Sequence, residues 1–197
     1  MLGRMVTQVE ELHIYQDFGP KARYKKDMLK GIIEAIAASE ADMPLKKLHL
    51  DEVNLNSVNS ELLGRMVTQV EELDIGRELL GKKQGRAIFD AIAFGPGKLK
   101  RLSITGGYWL DRVRSDKLAC AVNRLEGFEA FTNLSRRKIE KILTKALEGT
   151  RLKKLNLSKL EEDSTLISQA REVIPSVNSE SESDDEFDSV EQCSYSY

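Results

Sequence analysis

The chain contains two histidines, and both fall at the same place in a recurring six-residue phrase. His13 is the fifth residue of VEELHI and His49 the fifth of LKKLHL, while Asp74 holds that place in VEELDI. Two imidazoles and a carboxylate are ligands that zinc accepts. Three donors on an open surface are a thin set, however, so this column is expected to contact a partner, and no metal or cofactor is expected. The column continues through Ser103, Glu129 and Asn156. A Ser-His-Asp or Cys-His arrangement needs a nucleophile facing the histidines, and none stands out, so the chain is not expected to be an enzyme. GPGK at 95–98 resembles part of a phosphate loop. Ile92 replaces its first glycine and Leu99 its hydroxyl residue, and it follows a helix pattern and precedes a strand, the reverse of the required order. It reads as a helix stop, with Gly95 ending the helix and Pro96 barring its continuation.

The phrase that positions these residues recurs six times. VEELHI, LKKLHL, VEELDI, LKRLSI, LEGFEA and LKKLNL begin at residues 9, 45, 70, 99, 125 and 152. Each has the form L-x-x-L-x-L with apolar substitutes, a pattern whose alternation predicts a short, half-buried strand. Between the phrases lie helix patterns. Ile139, Ile142, Leu143, Ala146 and Leu147 make one apolar stripe, as do Met28, Leu29, Ile32, Ile33 and Ile36. Leu62, Leu63, Met66 and Val67 do likewise, and so do Ala87, Ile88, Ala91 and Ile92. One strand and one helix, each apolar on one side, cannot close a core; stacked copies can. LGRMVTQVEEL occurs at 2–12 and again at 63–73. The phrases at 9, 70 and 125 form one class and those at 45, 99 and 152 another, so the duplication is the same junction in successive pairs of units.

These phrases and spacings resemble leucine-rich repeat proteins of ribonuclease-inhibitor type over roughly residues 1–165. The resemblance implies an α/β leucine-rich-repeat solenoid, a horseshoe with a parallel concave sheet and outer helices. The consensus asparagine after the strand is present only as Asn133; Asp17, Val53, Glu78, Gly107 and Leu160 hold the equivalent places. The step of 36 from the first phrase to the second requires an insertion, in PKARYKK or SEADMP. The closest likeness is to the repeat arrays of NOD-like receptors, which implies a protein–protein interaction module of innate-immune type. An alternative is a GTPase-activating regulator resembling the Ran activator, which also joins such repeats to an acidic C-terminal tract. A third is a nonfunctional fragment.

Between the core positions of each phrase lie outward positions. One column runs Glu11, Lys47, Glu72, Arg101, Gly127, Lys154, and its neighbour runs Glu10, Lys46, Glu71, Lys100, Glu126, Lys153. Signs alternate from strand to strand, which suits a register lock in preference to a docking surface. Lys47, Glu72, Arg101 and Lys154 remain candidate partner contacts beside the His13 column. A ladder that neutralises itself gives no continuous basic patch, so nucleic acid is not an expected partner. Trp109 falls where the repeat takes a second loop leucine, matching Leu55 and Leu80. It is either packed in the core or an exposed aromatic anchor.

Seven of the 32 acids and none of the 30 bases lie in residues 176–197, so a net-basic body carries an acidic, serine-rich tail. The expected organisation is a repeat domain over 1–174, truncated at its N-terminus, and a disordered tail over 175–197. Ser179, Ser181 and Ser183 each precede an acid by three residues, a spelling that resembles acidophilic kinase sites. No apolar run approaches the ~20 residues of a membrane helix, no secretory leader is read, and Cys120 and Cys193 are not expected to pair. A cytoplasmic location is expected.

Met1, Leu2, Met5 and Val6 match a buried helix face in the copy at 62–67, so the chain is expected to begin inside a repeat and expose an uncapped end. Self-association through that end follows. Hydrogen exchange should be fastest in residues 1–14 among the strand segments and slowest near 70–104; equal protection of 9–14 and 70–75 in a monomer would overturn the truncation.

Overall fold

The computed structural model describes residues 9–15, 22–39, 45–76, 80–106, 108–132, 134–158 and 165–179. Residues 1–8, on which the truncated-helix expectation rests, lie outside them. The described elements alternate strictly. They are β1 (Glu11–Tyr15), α1 (Ala22–Ala37), β2 (Lys47–Asp51), α2 (Ser60–Val67), β3 (Glu72–Ile75), α3 (Lys82–Phe94), β4 (Arg101–Thr105), α4 (Ser115–Val122), β5 (Gly127–Phe131), α5 (Arg136–Leu147), β6 (Lys154–Leu157), α6 (Thr165–Val173) and β7 (Ser176–Ser179). Short 3₁₀ turns occupy Leu55–Ser57 and Tyr108–Arg112.

The seven strands form one open, all-parallel sheet in sequence order, with β1 and β7 at its edges. Its register follows the phrases: Leu48 faces Leu73, Leu73 faces Leu102, and Leu102 faces Phe128. Those residues, with Leu50, Ile75, Ile104 and Ala130, are buried. Each helix packs on the next along the chain, from α1 to α6. Ile33, Ile36, Leu63, Met66, Ile88, Ile142 and Leu143 are buried in one continuous cluster with the strand side chains. Met28 and Leu147, expected on the buried stripes, are exposed. Helix α2 starts at Asn59, whose side chain accepts from the Glu61 amide at 2.8 Å and so satisfies an end-of-helix donor. No helix among the described residues is long and apolar enough to cross a membrane.

The expected tail beginning at 175 is corrected at its start. Ser176–Ser179 form β7, which pairs with β6 in the register Leu155 to Val177 and Asn156 to Asn178. Ile174 and Val177 are buried and take the first two core positions of a seventh phrase, IPSVNS. Residues 180–197 lie outside the described residues.

Trp109 belongs to the core. It is 5% exposed, with its ring centroid 5.9 Å from that of Phe89. Gly85, the fourth residue of α3, leaves room for it: a Cβ there would lie 2.5 Å from the indole Cε3. The reading of Trp109 as an exposed anchor is therefore set aside. This contact gives a direct test. Alanine is the better helix former by roughly 1 kcal/mol, yet Gly85→Ala should destabilise the protein by about 1–3 kcal/mol through overpacking. In a Trp109→Ala background, itself costing about 3–5 kcal/mol, the same change should become neutral or stabilising in a denaturant melt.

Candidate functional site

The face of the sheet turned away from the helices is built by the alternate residues of each strand. Parallel pairing aligns them into columns: His13, His49, Asp74, Ser103, Glu129 and Asn156 lie opposite one another in turn, and the column ends at Asn178. Beside it run Glu11, Lys47, Glu72, Arg101, Gly127 and Lys154, again as direct partners.

The alternating charges pair across strands. Glu72 takes Arg101 on one side and Lys47, at 3.8 Å, on the other. In the column before it, Lys46 reaches Glu10 at 3.2 Å, Lys100 reaches Glu71 at 2.7 Å and Lys153 reaches Glu126 at 2.7 Å. The ammonium hydrogen bonds hold the Glu71 and Glu126 carboxyls below their ordinary range, and the Glu71 carboxylate raises Lys100. Gly127 interrupts the alternation between two basic residues. Lys154 turns instead to Glu129, at 2.9 Å, and the Arg101 side chain lies against Gly127, where a Cβ would come within 3.2 Å of its Cγ.

At the β1 edge the column becomes a polar cluster. The His13 and His49 rings stack with centroids 4.0 Å apart and planes 5° from parallel. Both present Nε2 to the same oxygen, Glu11 Oε1, at 3.0 and 3.1 Å. The other nitrogen of His49, Nδ1, lies 3.2 Å from Asp74 Oδ2. The His13 hydrogen bond is the chief cause of a Glu11 carboxyl held below its usual range. Glu11, His13 and His49 offer ligand atoms within 4.8 Å of one another. This set differs from the one read in the sequence, where Asp74 was the third donor. Glu11 was legible only as a ladder charge, although its spacing of two from His13 puts both on one face of β1.

Two shallow depressions share His49 and Asp74. One, of about 500 Å³, is lined by His13, Asp51, Gly76 and Thr105 as well; the other, of about 200 Å³, by Glu72, Arg101, Ser103 and Glu129. Tyr15, 63% exposed, stands at the end of β1 on the same face. Phe131 is half-buried at the corresponding end of β5. Neither aromatic was singled out in the sequence, because each follows its phrase. Asn156, read as an outward contact, is buried, and its Oδ1 has no hydrogen-bond partner among the described residues. The column thus offers accessible groups from His13 to Glu129, and Lys154 stays exposed beside it.

No family model, no curated protein and no solved structure matches the chain, so the use of this face has to follow from its own geometry.

The central ion pair can be weighed by a double-mutant cycle. Glu72→Ala, Arg101→Ala and the double variant should yield a coupling of about 0.2–1 kcal/mol at low salt, shrinking in high salt. A zero coupling would mean that the ladder carries no energy there. Acid should act in a definite direction. The folded-state Glu71, Glu126 and Asp111 carboxyls are depressed by lysine hydrogen bonds. The stability they contribute is present above the unfolded carboxylate range and lost as pH falls through the lower folded values, so melting temperature should drop on acidification.

Proposed function

We propose that the chain is a recognition module of leucine-rich-repeat type that docks another protein on the exposed face of its sheet. The observation that carries this reading is the division of labour across the sheet. One face is covered by six helices, and the other is covered by no element among the described residues. That open face displays a column of mixed polar groups, two depressions and the exposed ring of Tyr15. The six phrases, their spacing and the helix after each strand support the leucine-rich-repeat assignment and its horseshoe form.

The charges on the face favour a protein as the occupant. The ladder pairs its acids and bases with one another, which leaves no single-sign field for a phosphate backbone. The accessible groups from His13 to Glu129 are two imidazoles, a carboxylate, a hydroxyl and a second carboxylate, a mixture suited to hydrogen bonds with peptide groups. Tyrosine belongs to the residue types that anchor protein interfaces. Lys47, Glu72, Arg101 and Lys154 flank the column and set which partner charges can approach it.

A photo-reactive side chain placed at Ser103, on the open face, should cross-link a protein partner in native extract. The same group at Arg137, exposed on α5 on the helical side, should not. Cross-links that appear at Arg137 and are absent from Ser103 would contradict the reading.

A further inference from the structure

The cluster at the β1 edge has a chemistry that the docking reading does not need. An ionised carboxylate accepts hydrogen bonds and cannot donate them. His49 lies between two such carboxylates, with Nδ1 3.2 Å from Asp74 Oδ2 and Nε2 3.1 Å from Glu11 Oε1. A neutral ring carries one proton, so in either tautomer one of the two contacts is lone pair against lone pair, and a cation between the two atoms makes it attractive. A proton is one such cation, and a divalent metal ion is the other.

We propose that Glu11 Oε1, His13 Nε2 and His49 Nε2 bind a zinc ion, with Asp74 as the positioning residue for the His49 ring. Three features favour the metal. First, both imidazole nitrogens converge on one carboxylate oxygen, at 3.0 and 3.1 Å; bonds of about 2.0 Å to a tetrahedral zinc would set donors about 3.3 Å apart, so little movement is required of these pairs. Second, a carboxylate on the far nitrogen of a ligating histidine is the arrangement that fixes its tautomer and raises its basicity. Third, the donors stand on two strands held in register, His13 directly opposite His49, so the backbone sets their spacing. The rings now lie parallel, 4.0 Å apart. Their lone pairs converge on one ion only after the rings tilt toward each other, and His13, whose side chain is 66% exposed, has room to do so. Two imidazoles and a carboxylate are a donor set that zinc shares with other late divalent metals, and three protein ligands leave a position open to water.

The test titrates zinc chloride into the chelator-treated full chain near neutral pH and follows it by calorimetry and by nitrogen-15 spectra of the imidazoles. The chain has only two histidines, so the spectra report both ligands without a variant. The expected result is saturable binding of one ion that shifts the Nε2 signals of both rings and leaves His49 with its proton on Nδ1. His13→Gln and His49→Gln should each weaken binding by at least about 10-fold, and Asp74→Ala by about 10–100-fold with loss of the single tautomer. Imidazole signals unmoved at saturating zinc, or affinity unchanged by His49→Gln because cysteines or the acidic terminus hold the ion, would overturn the proposal.

Discussion

A parallel strand of four or five residues cannot satisfy its own backbone, and a helix with one apolar stripe cannot hide it alone. In this chain both needs are met by the next unit. Lys46 and Lys47 donate their amides to the Glu10 carbonyl, Glu71 and Glu72 to that of Lys46, and Lys100 and Arg101 to that of Glu71. Beneath this ladder each helix packs on its successor. The stacking contact is thus the constraint on which the rest depends. It buries Leu48, Leu73, Leu102 and Phe128 in one row, and so fixes which residues must appear on the other face.

That consequence links stability to the open face. A slip of one residue in any strand would turn its apolar pair toward water and its charges into the core. The alternating acids and bases add a second check, since a misplaced unit would set like charges side by side. The same alignment that neutralises the two ladder columns brings His13, His49 and Asp74 together on three adjacent strands. The cluster with Glu11 is a product of register, built from residues up to 63 positions apart in the chain.

Most of this register was legible in the sequence because the phrases carry it. Core residues alternate with outward ones, so the phrases alone align Glu11, Lys47, Glu72, Arg101, Gly127 and Lys154. What escaped has physical reasons. The seventh strand was hidden because Pro175 and Ser179 depart from the phrase, leaving only Ile174 and Val177 to mark it. The choice between core and surface for Trp109 was left open because its loop position does not reveal Gly85 on the facing helix. Asn156 follows the outward pattern and is nevertheless buried. The pairing of Glu11 with both histidines depends on side-chain torsions, which periodicity does not specify.

The central claim is that β3 and β4 are parallel neighbours in the register that opposes Asp74 to Ser103 on an open face. Inter-strand cross-linking tests it most directly, because adjacent strands about 4.8 Å apart fall within the span a disulfide accepts. In a chain with Cys120 and Cys193 replaced by serine, Asp74→Cys with Ser103→Cys should form a disulfide under mild oxidation while the protein remains folded. Asp74→Cys with Ile104→Cys should not, since Ile104 points into the core. A cross-link in the second pair and none in the first would contradict the register, and with it the open face.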